Sequence, residues 1–212
     1  VESNRDWTYK LAEEIEKWLT DARVLVIDGN KKERTEQWLM ATAGYYTLGE
    51  KLRPKFVIAN YELLLHDFDL IKDHQWPVGV CDEATRISNP DAQTTKNLKR
   101  LRIKKRIALT GTPISNRPTD IFSIIDWLVP RYLGSFGQFR SKYCQMEDDW
   151  GTQGAFKRIT GYKNMDQLKE KVGRFMIRRL KEEVFKDFPP KVIENVVFQL
   201  SPTERKLYQS VK

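Results

Sequence analysis

The sequence predicts an α/β fold in which helices cover both faces of a parallel sheet. Two observations carry this prediction: short apolar runs alternate with helical patterns, and the runs are apolar throughout instead of alternating with polar residues. The predicted strands are residues 24–28, 56–60, 78–82 and 106–110. A chain of 212 residues with 40% hydrophobic residues is long enough to bury one main core around them.

Helical patterns flank and separate these strands. The first pattern repeats apolar residues at the spacing of one helix face, at Trp7, Leu11, Ile15, Trp18 and Leu19. Further helices are predicted at residues 35–48, 61–73, 92–101 and 119–129, the last of them before Pro130.

The character of the chain changes near residue 131. From there to about residue 188 it is charged, aromatic and mostly helical in pattern, with a Gly-rich stretch "GTQGAFKRITG". After Pro189 and Pro190, a strand is predicted at residues 192–199. A last helix follows, with Ser201 as its N-cap, Pro202 at its first position and Glu204 three residues after the cap. We therefore expect three parts: residues 1–131, 132–190 and 191–212.

Composition excludes several classes of protein. No run approaches the ~18 apolar residues that a membrane-spanning helix needs, so we expect no membrane partner. Two histidines are too few for a zinc site, and two cysteines, Cys81 in an apolar strand and Cys144 in a helical stretch, form no disulfide framework. We expect a reducing, intracellular location.

Basic residues are concentrated in one segment. The net charge is +8, and residues 96–106, "KNLKRLRIKKR", hold seven Lys or Arg and no acid. We call this stretch the basic segment. A local excess of this kind suits a polyanionic partner. The alternative is a solvated helix face leading into a strand, with Leu98, Leu101 and Ile103 packed inward.

Two adjacent acids end the third predicted strand. In "WPVGVCDEATRISNP", the apolar run is followed directly by Asp82 and Glu83, which we call the acidic pair. Polar stretches also follow the second and fourth strands, as "ANYE" (59–62) and "TGTP" (110–113). One polar loop is typical of any protein. Three of them at the carboxyl ends of parallel strands predict one ligand site.

The same stretches resemble a known family. "VCDEATRISNP" and "RIALTGTPISNRPTDIFSIIDWLVP" resemble motifs II and III of the Swi/Snf family of ATP-dependent DNA translocases, within the DEAD/DEAH helicase superfamily. "FVIANYELL" resembles motif Ib, and "FMIRRLKEEVFKDFPPKVIENVVFQLSPTERKLY" is similar to the exit from the first lobe's helical protrusion. The resemblance implies part of a first RecA-like motor lobe, a mainly helical protrusion and an exit strand and helix toward a second lobe.

The resemblance also implies ATP and magnesium as cofactors. Asp82 is then the expected partner of magnesium, and Glu83 the expected base for the attacking water. Because the strand is apolar, we expect the two carboxylates to be costly to hold without the ion. Thr85 stands where the family commonly has His. Together with Thr110, Gly111 and Thr112, it is implied to couple the nucleotide site to the DNA-facing surface.

Double-stranded DNA is the implied partner, together with the second motor lobe of the same protein. Asn60, Tyr61 and Asn116 are the residues implied to face the phosphodiester backbone. Binding through phosphates is indifferent to sequence and strongly salt-dependent. We expect a bacterial or phage-infected cytoplasm or nucleoid rather than a nucleus.

A phosphate loop is the element that the sequence does not supply. Residues 44–52, "GYYTLGEKL", differ from G-x-x-x-x-G-K-[ST] because the lysine is displaced, no Ser or Thr follows it and a helical pattern precedes it. We interpret this stretch as a helix end and turn, and expect the phosphate loop upstream of Val1. The 212-residue chain alone is then expected to lack DNA-stimulated ATPase activity, and to be poorly stable or completed by another chain.

Two alternatives remain open. The chain is a non-catalytic nucleic-acid-binding module that uses the basic segment, or it belongs to a strand-separating helicase of the same superfamily. The absence of an upstream phosphate loop would favour the first, and an unwinding assay on the complete protein decides the second.

Overall fold

The computed structural model describes residues 4–47, 50–112, 117–148, 157–179 and 201–211. The chain divides into two compact units, residues 1–172 and residues 173–212. Among the described residues, no helix is both long enough and apolar enough to cross a bilayer.

The helices and strands alternate along the first unit. In chain order they are α1 (Asn4–Trp18), β1 (Val24–Val26), α2 (Lys31–Ala43), β2 (Tyr45–Thr47), β3 (Glu50–Leu52), β4 (Phe56–Ile58), α3 (Leu63–His66), α4 (Phe68–Ile71), β5 (Gln75–Cys81), α5 (Gln93–Arg100), β6 (Arg102–Ala108), α6 (Asp120–Leu128), α7 (Phe136–Tyr143), β7 (Cys144–Asp148), β8 (Lys157–Tyr162) and α8 (Met165–Gly173). A short 3₁₀ helix, Ala84–Ile87, follows β5.

The predicted strands form two parallel pairs. β1 pairs with β4, with Val26 opposite Ile58, and β5 pairs with β6, with Cys81 opposite Ala108. Each pair is joined by a connection that contains helix, as parallel strands require. The prediction of an α/β fold with parallel strands is confirmed.

One apolar core holds these elements together. It combines side chains from the loop after β1, from α2 and α4, from the end of β5, from the 3₁₀ helix, from α5 and its C-cap, and from α6. In chain order these residues are Ile27, Trp38, Phe68, Ile71, Cys81, Ala84, Ile87, Leu98, Leu101, Ile124 and Trp127. Trp127, Ala84 and Ile87 have no exposed surface. Burying a large apolar side chain stabilises the fold by roughly 1.5–3 kcal/mol, so this core fixes where the strands end.

Part of the β5–β6 surface stays open. Val80 and its partner Ile107 are 56% and 46% exposed, and Val78 and Leu109 beside them are also exposed. Within the described residues, this patch has no covering helix, although continuous apolar strands predict cover on both faces.

The apolar stripe of α1 is not the face that this helix buries. Trp7, Leu11 and Trp18 are exposed, whereas Thr8 and Ala12 are buried. α1 lies against β1, and the side chains Thr8 and Ala12 that it buries are small. Apolar spacing identified the helix but not the face that it buries.

Two predicted helices have different bounds from those that the pattern indicated. The helix predicted over residues 35–48 ends at Ala43, where Gly44 takes a positive φ of 82° that favours glycine. The antiparallel pair β2–β3 follows, with Tyr45 opposite Leu52, so the stretch interpreted as a helix end and turn contains the cap of α2 at Gly44 and two short strands that were not predicted. The helix predicted over residues 61–73 is broken into α3 and α4 at Asp67.

A second apolar cluster lies between α6 and the helices that follow it. Ile121, Phe122 and Ile125 of α6 pack with Leu133, with Phe139 and Tyr143 of α7, and with Leu168 and Val172 of α8. The helices were predicted here, but the antiparallel hairpin β7–β8 was not. Cys144 begins β7 and so lies in a strand, where a helix was expected.

The second unit contains a capped helix, α9 (Pro202–Val211). The Glu204 amide donates to the Ser201 hydroxyl, and the Glu204 carboxylate accepts from the Ser201 amide. The predicted capping box is thus confirmed. The strand predicted at residues 192–199 and the segment around Pro189 and Pro190 lie outside the described residues. The predicted boundaries at residues 131 and 190 stay predictions.

Candidate functional site

The acidic pair lies at the carboxyl end of β5. Cys81, the last residue of the strand, is 4% exposed, whereas Asp82 and Glu83 are both exposed. The Asp82 carboxylate accepts a hydrogen bond from the Glu83 amide, with Oδ1 3.0 Å from the nitrogen. The sequence predicted two carboxylates that are costly to hold without an ion. That expectation is wrong, because both side chains reach solvent and keep their hydration.

Glu83 has an unusual backbone conformation. Its φ of 46° and ψ of 55° lie in the left-handed region, which costs a residue with a Cβ about 1–2 kcal/mol. The 3₁₀ helix begins directly after it, anchored by the fully buried Ala84 and Ile87. Strain of this kind persists only where the surroundings enforce it, and it is concentrated at functional sites. At Glu83, the left-handed conformation changes the direction of the chain at the acidic pair.

The ends of β5 and β6 are joined by main-chain hydrogen bonds. The Leu109 amide donates to the Cys81 carbonyl at 2.8 Å, and the Ala84 amide donates to the Leu109 carbonyl at 2.9 Å. These bonds place the residues after β6 next to the acidic pair. Thr110, Gly111 and Thr112 follow at once, and the Thr112 amide donates to the Thr110 hydroxyl at 3.2 Å.

The coupling role of these residues stays a prediction. A Cβ placed on Gly111 would meet no atom of the described chain within 4 Å, and Gly111 has no positive φ. The described backbone therefore does not require glycine at this position. Thr85 is half-buried in the 3₁₀ helix, and its carbonyl accepts from the Ser88 amide at 3.1 Å.

Residues 59–62, which we call the Tyr61 loop, follow β4 at the same edge of the fold. The Asn60 carbonyl accepts from the Leu63 amide and so starts α3. The Tyr61 hydroxyl donates to the main-chain carbonyl of Asp82 at 2.8 Å. The structure therefore joins one of the predicted DNA-facing residues to the acidic pair. Asn116, the third of them, lies outside the described residues.

Burial affects the two side chains beside this bond. It raises the pKa of Tyr61 far above its usual range, so the hydroxyl remains a donor at physiological pH. It also raises the pKa of the Cys81 thiol to about 11, which keeps this thiol neutral and inert near pH 7. Cys81 therefore acts as a small apolar side chain of the core.

The acidic pair fits a magnesium ion that arrives with a nucleotide. Among the described residues, no three His, Cys, Asp or Glu side chains form a closed metal cage. Magnesium does not need such a cage, because it keeps several waters and binds one or two carboxylates together with phosphate oxygens. Asp82 and Glu83 are exposed, adjacent and oxygen-bearing, as that mode of binding requires.

Most of the basic segment is engaged in internal contacts. Lys99 forms an ion pair with Asp126 at 2.7 Å, and Arg106 donates to the Trp127 carbonyl at 2.6 Å. Arg100 lies over the Phe68 ring, and Arg102 is 3.8 Å from Asp73. These contacts hold α5 and β6 against α6 and α4. The hypothesis that this segment is a nucleic-acid patch stays a prediction, because Lys96, Lys104 and Lys105 are exposed.

A buried ion pair at the same edge was not foreseen from the sequence. Arg34 of α2 donates to both carboxylate oxygens of Asp67, at 2.7 and 3.0 Å, and the Trp38 indole donates to the same carboxylate at 3.0 Å. Arg34 also donates to the Gly29 carbonyl in the loop after β1. The only sequence signal was an acid inside the apolar run "LLLHDFDLI".

Comparison with known proteins gives a consistent result. A family model described as an SNF2-related domain matches residues 5–212. The DNA repair and recombination protein RAD54B of Mus musculus is 31% identical over 187 residues, which cover 87% of this chain and 20% of that protein. An ATP-dependent helicase of Mycoplasma genitalium is 28% identical over 199 residues, which cover 94% of this chain and 17% of that protein. The chain thus spans no more than about a fifth of these relatives.

A solved structure agrees with the fold described above. The Sulfolobus solfataricus SWI2/SNF2 ATPase core in complex with double-stranded DNA is 30% identical, with a TM-score of 0.62. The match covers 95% of this chain and 38% of that one. The helices and parallel strands described here match the RecA-like fold of that core.

Proposed function

Because the chain belongs to the family of proteins with an SNF2-related domain, we propose that its full-length protein is an ATP-driven motor that moves along double-stranded DNA. Within that motor, the chain provides part of the first RecA-like lobe. A second lobe of the same protein is the proposed partner that completes the nucleotide site.

The acidic pair is the observation that supports this proposal most directly. Asp82 is the proposed magnesium partner, and Glu83 is the proposed base that orients and deprotonates the attacking water. A bound magnesium ion supplies charge neutralisation for the phosphates of ATP. Because Glu83 follows Asp82 in a left-handed conformation, the chain bends between the two proposed roles.

The loops beside the acidic pair are the proposed route between nucleotide and DNA. Asn60 at the end of β4 and Asn116 after β6 are proposed to contact the phosphodiester backbone. Thr110, Gly111 and Thr112 are proposed to couple this surface to the acidic pair, together with Thr85. The two main-chain bonds of Leu109 support such coupling, since movement after β6 pulls directly on the end of β5.

The proposal is tested with DNA-stimulated ATP hydrolysis by the full-length protein. Asp82→Asn removes the charge that attracts magnesium, and we expect duplex-stimulated turnover to fall at least about tenfold. Asp91→Asn is the matched control, because Asp91 is an exposed acid after the 3₁₀ helix and outside the proposed site. If Asp82→Asn hydrolysed ATP as fast as the control variant, the assignment of this site would be wrong.

A further inference from the structure

Tyr61 joins two loops that the chain separates by about twenty residues. Its hydroxyl donates to the Asp82 carbonyl at 2.8 Å, and its half-buried ring packs against the main core. The loop after β4 and the end of β5 therefore share a hydrogen bond. The family resemblance implied that Tyr61 faces DNA, but in the structure its hydroxyl donates to the main chain of the acidic pair.

A second contact joins the same two loops. The Arg86 guanidinium lies over the Tyr61 ring, 5.7 Å from its centroid, and forms an ion pair with Glu62. Arg86 belongs to the 3₁₀ helix, and its amide donates to the Glu83 carbonyl at 2.9 Å. The Tyr61 loop is thus attached on both sides of Glu83, once through a hydroxyl and once through a guanidinium.

These contacts fix one particular peptide plane, the one that links Asp82 to Glu83. Tyr61 holds the oxygen of this plane, and the Asp82 carboxylate holds its N–H. The orientation of the plane sets the rotation about the N–Cα bond of Glu83, which is the left-handed φ of 46°. With both ends of the plane hydrogen-bonded, the strained conformation has a local cause.

We propose that Tyr61 is a positioning residue that transmits the placement of the loop after β4 to Asp82 and Glu83 by holding the peptide plane between them. This inference rests on the function proposed above. When the Tyr61 loop moves, the Asp82 carbonyl moves with it, and the direction of the Glu83 carboxylate changes. DNA at the Tyr61 loop would thereby alter the acidic pair without any DNA contact to either acid.

Tyr61→Phe in the full-length protein is the test. The substitution keeps the ring that packs in the core and under Arg86, and it removes only the hydroxyl. We expect duplex-stimulated kcat to fall about five- to tenfold, as the loss of one hydrogen bond at this peptide would give. The DNA concentration for half-maximal stimulation and nucleotide-free DNA affinity should change less than about twofold, since no DNA contact is lost.

Amide hydrogen exchange gives a readout that does not depend on catalysis. In Tyr61→Phe without nucleotide, the peptide that contains Glu83 should exchange faster than in the wild type, because its plane is held at one end only. Tyr9→Phe is the matched control. Tyr9 also loses a hydroxyl bond, 3.3 Å to Asp28, but it lies on α1 and not beside the acidic pair.

The outcomes separate this inference from the proposed function. If Asp82→Asn abolishes turnover while Tyr61→Phe matches Tyr9→Phe in both kcat and exchange, the inference is overturned and the function stands. If Tyr61→Phe weakens nucleotide-free DNA binding as much as it lowers kcat, Tyr61 is a DNA contact and the inference is also overturned. If Asp82→Asn has no effect, the proposed function fails, while faster exchange in Tyr61→Phe still supports the link between the two loops.

Discussion

Glu83 carries a backbone strain that its side chain alone does not explain. A carboxylate at the end of a strand is satisfied by water in any conformation, yet this residue lies in the left-handed region. The hydrogen bonds at the preceding peptide supply the cause, from Tyr61 on one side and from the Asp82 carboxylate on the other. The site therefore stores strain at the residue proposed to act as the base.

We expect Glu83→Gly to be more stable than Glu83→Ala by about 1 kcal/mol, because glycine adopts the left-handed region without a Cβ clash. Alanine is the matched control, since both variants lose the carboxylate and only one keeps the clash. Urea unfolding of the full-length protein measures the difference. Equal stability of the two variants would mean that Glu83 relaxes to an ordinary conformation and that the strain is not enforced.

At the scale of elements, the sequence predicted strands better than helix faces. The continuous apolar runs around Val24, Phe56, Val80 and Ile107 all became parallel strands, although Val80 and Ile107 themselves stay exposed. The apolar spacing of α1 did not identify its buried face, since Trp7 and Trp18 satisfy the helical period and yet are exposed, whereas Thr8 and Ala12 are buried. The spacing of apolar residues identifies a helix, whereas the element against which the helix packs determines which of its faces is buried.

The break between α3 and α4 could also not be predicted from the sequence pattern. Residues 61–73 match one helical pattern, but the two helices are separated at Asp67, whose carboxylate accepts hydrogen bonds from Arg34 and Trp38, about thirty residues earlier in the chain. Long-range pairing of a single acid has no signature in a local pattern. The acidic pair was predictable for the opposite reason, since its position depends only on where its own strand ends.

The ion pair of Arg34 and Asp67 yields a stability prediction for these elements. Asp67 is 2% exposed, so Asp67→Asn leaves Arg34 without its counter-charge and should lower the free energy of unfolding by about 3–5 kcal/mol. Asp69→Asn is the matched control, because the Asp69–Lys72 pair is exposed to solvent, and exposed pairs contribute little to stability. Urea unfolding of both variants measures the loss of free energy of unfolding relative to wild type. Equal losses in the two variants would contradict a structural role for the buried pair.

The same pair should give a pH signature. Burial alone would raise the pKa of Asp67, but the hydrogen bonds from Arg34 and Trp38 outweigh it and hold that pKa below its usual value. The stabilisation is thus fully present above the ordinary carboxyl pKa and is lost as pH falls through the lowered one. The stability difference between wild type and Asp67→Asn should therefore shrink on acidification, and a difference that grew would contradict this.

At the scale of the whole molecule, the candidate site is built from several loops at the carboxyl ends of the strands in the first unit. The loop after β1 is tied to α2 by Arg34, the loop after β4 to the end of β5 by Tyr61, and the end of β5 to the residues after β6 by Leu109. The last two ties join neighbouring loops at the carboxyl ends of parallel strands, where α/β folds bind ligands. The acidic pair is therefore bonded directly to the loop after β4 and to the residues after β6.

Nucleotide binding and hydrolysis by Glu83→Gln of the full-length protein test the central claim most directly. Because glutamine keeps the shape but cannot accept the proton of the attacking water, we expect magnesium–ATP binding within about threefold of wild type and a fall in duplex-stimulated turnover of about a hundredfold or more. Turnover equal to that of wild type, with magnesium and duplex present, would contradict the account.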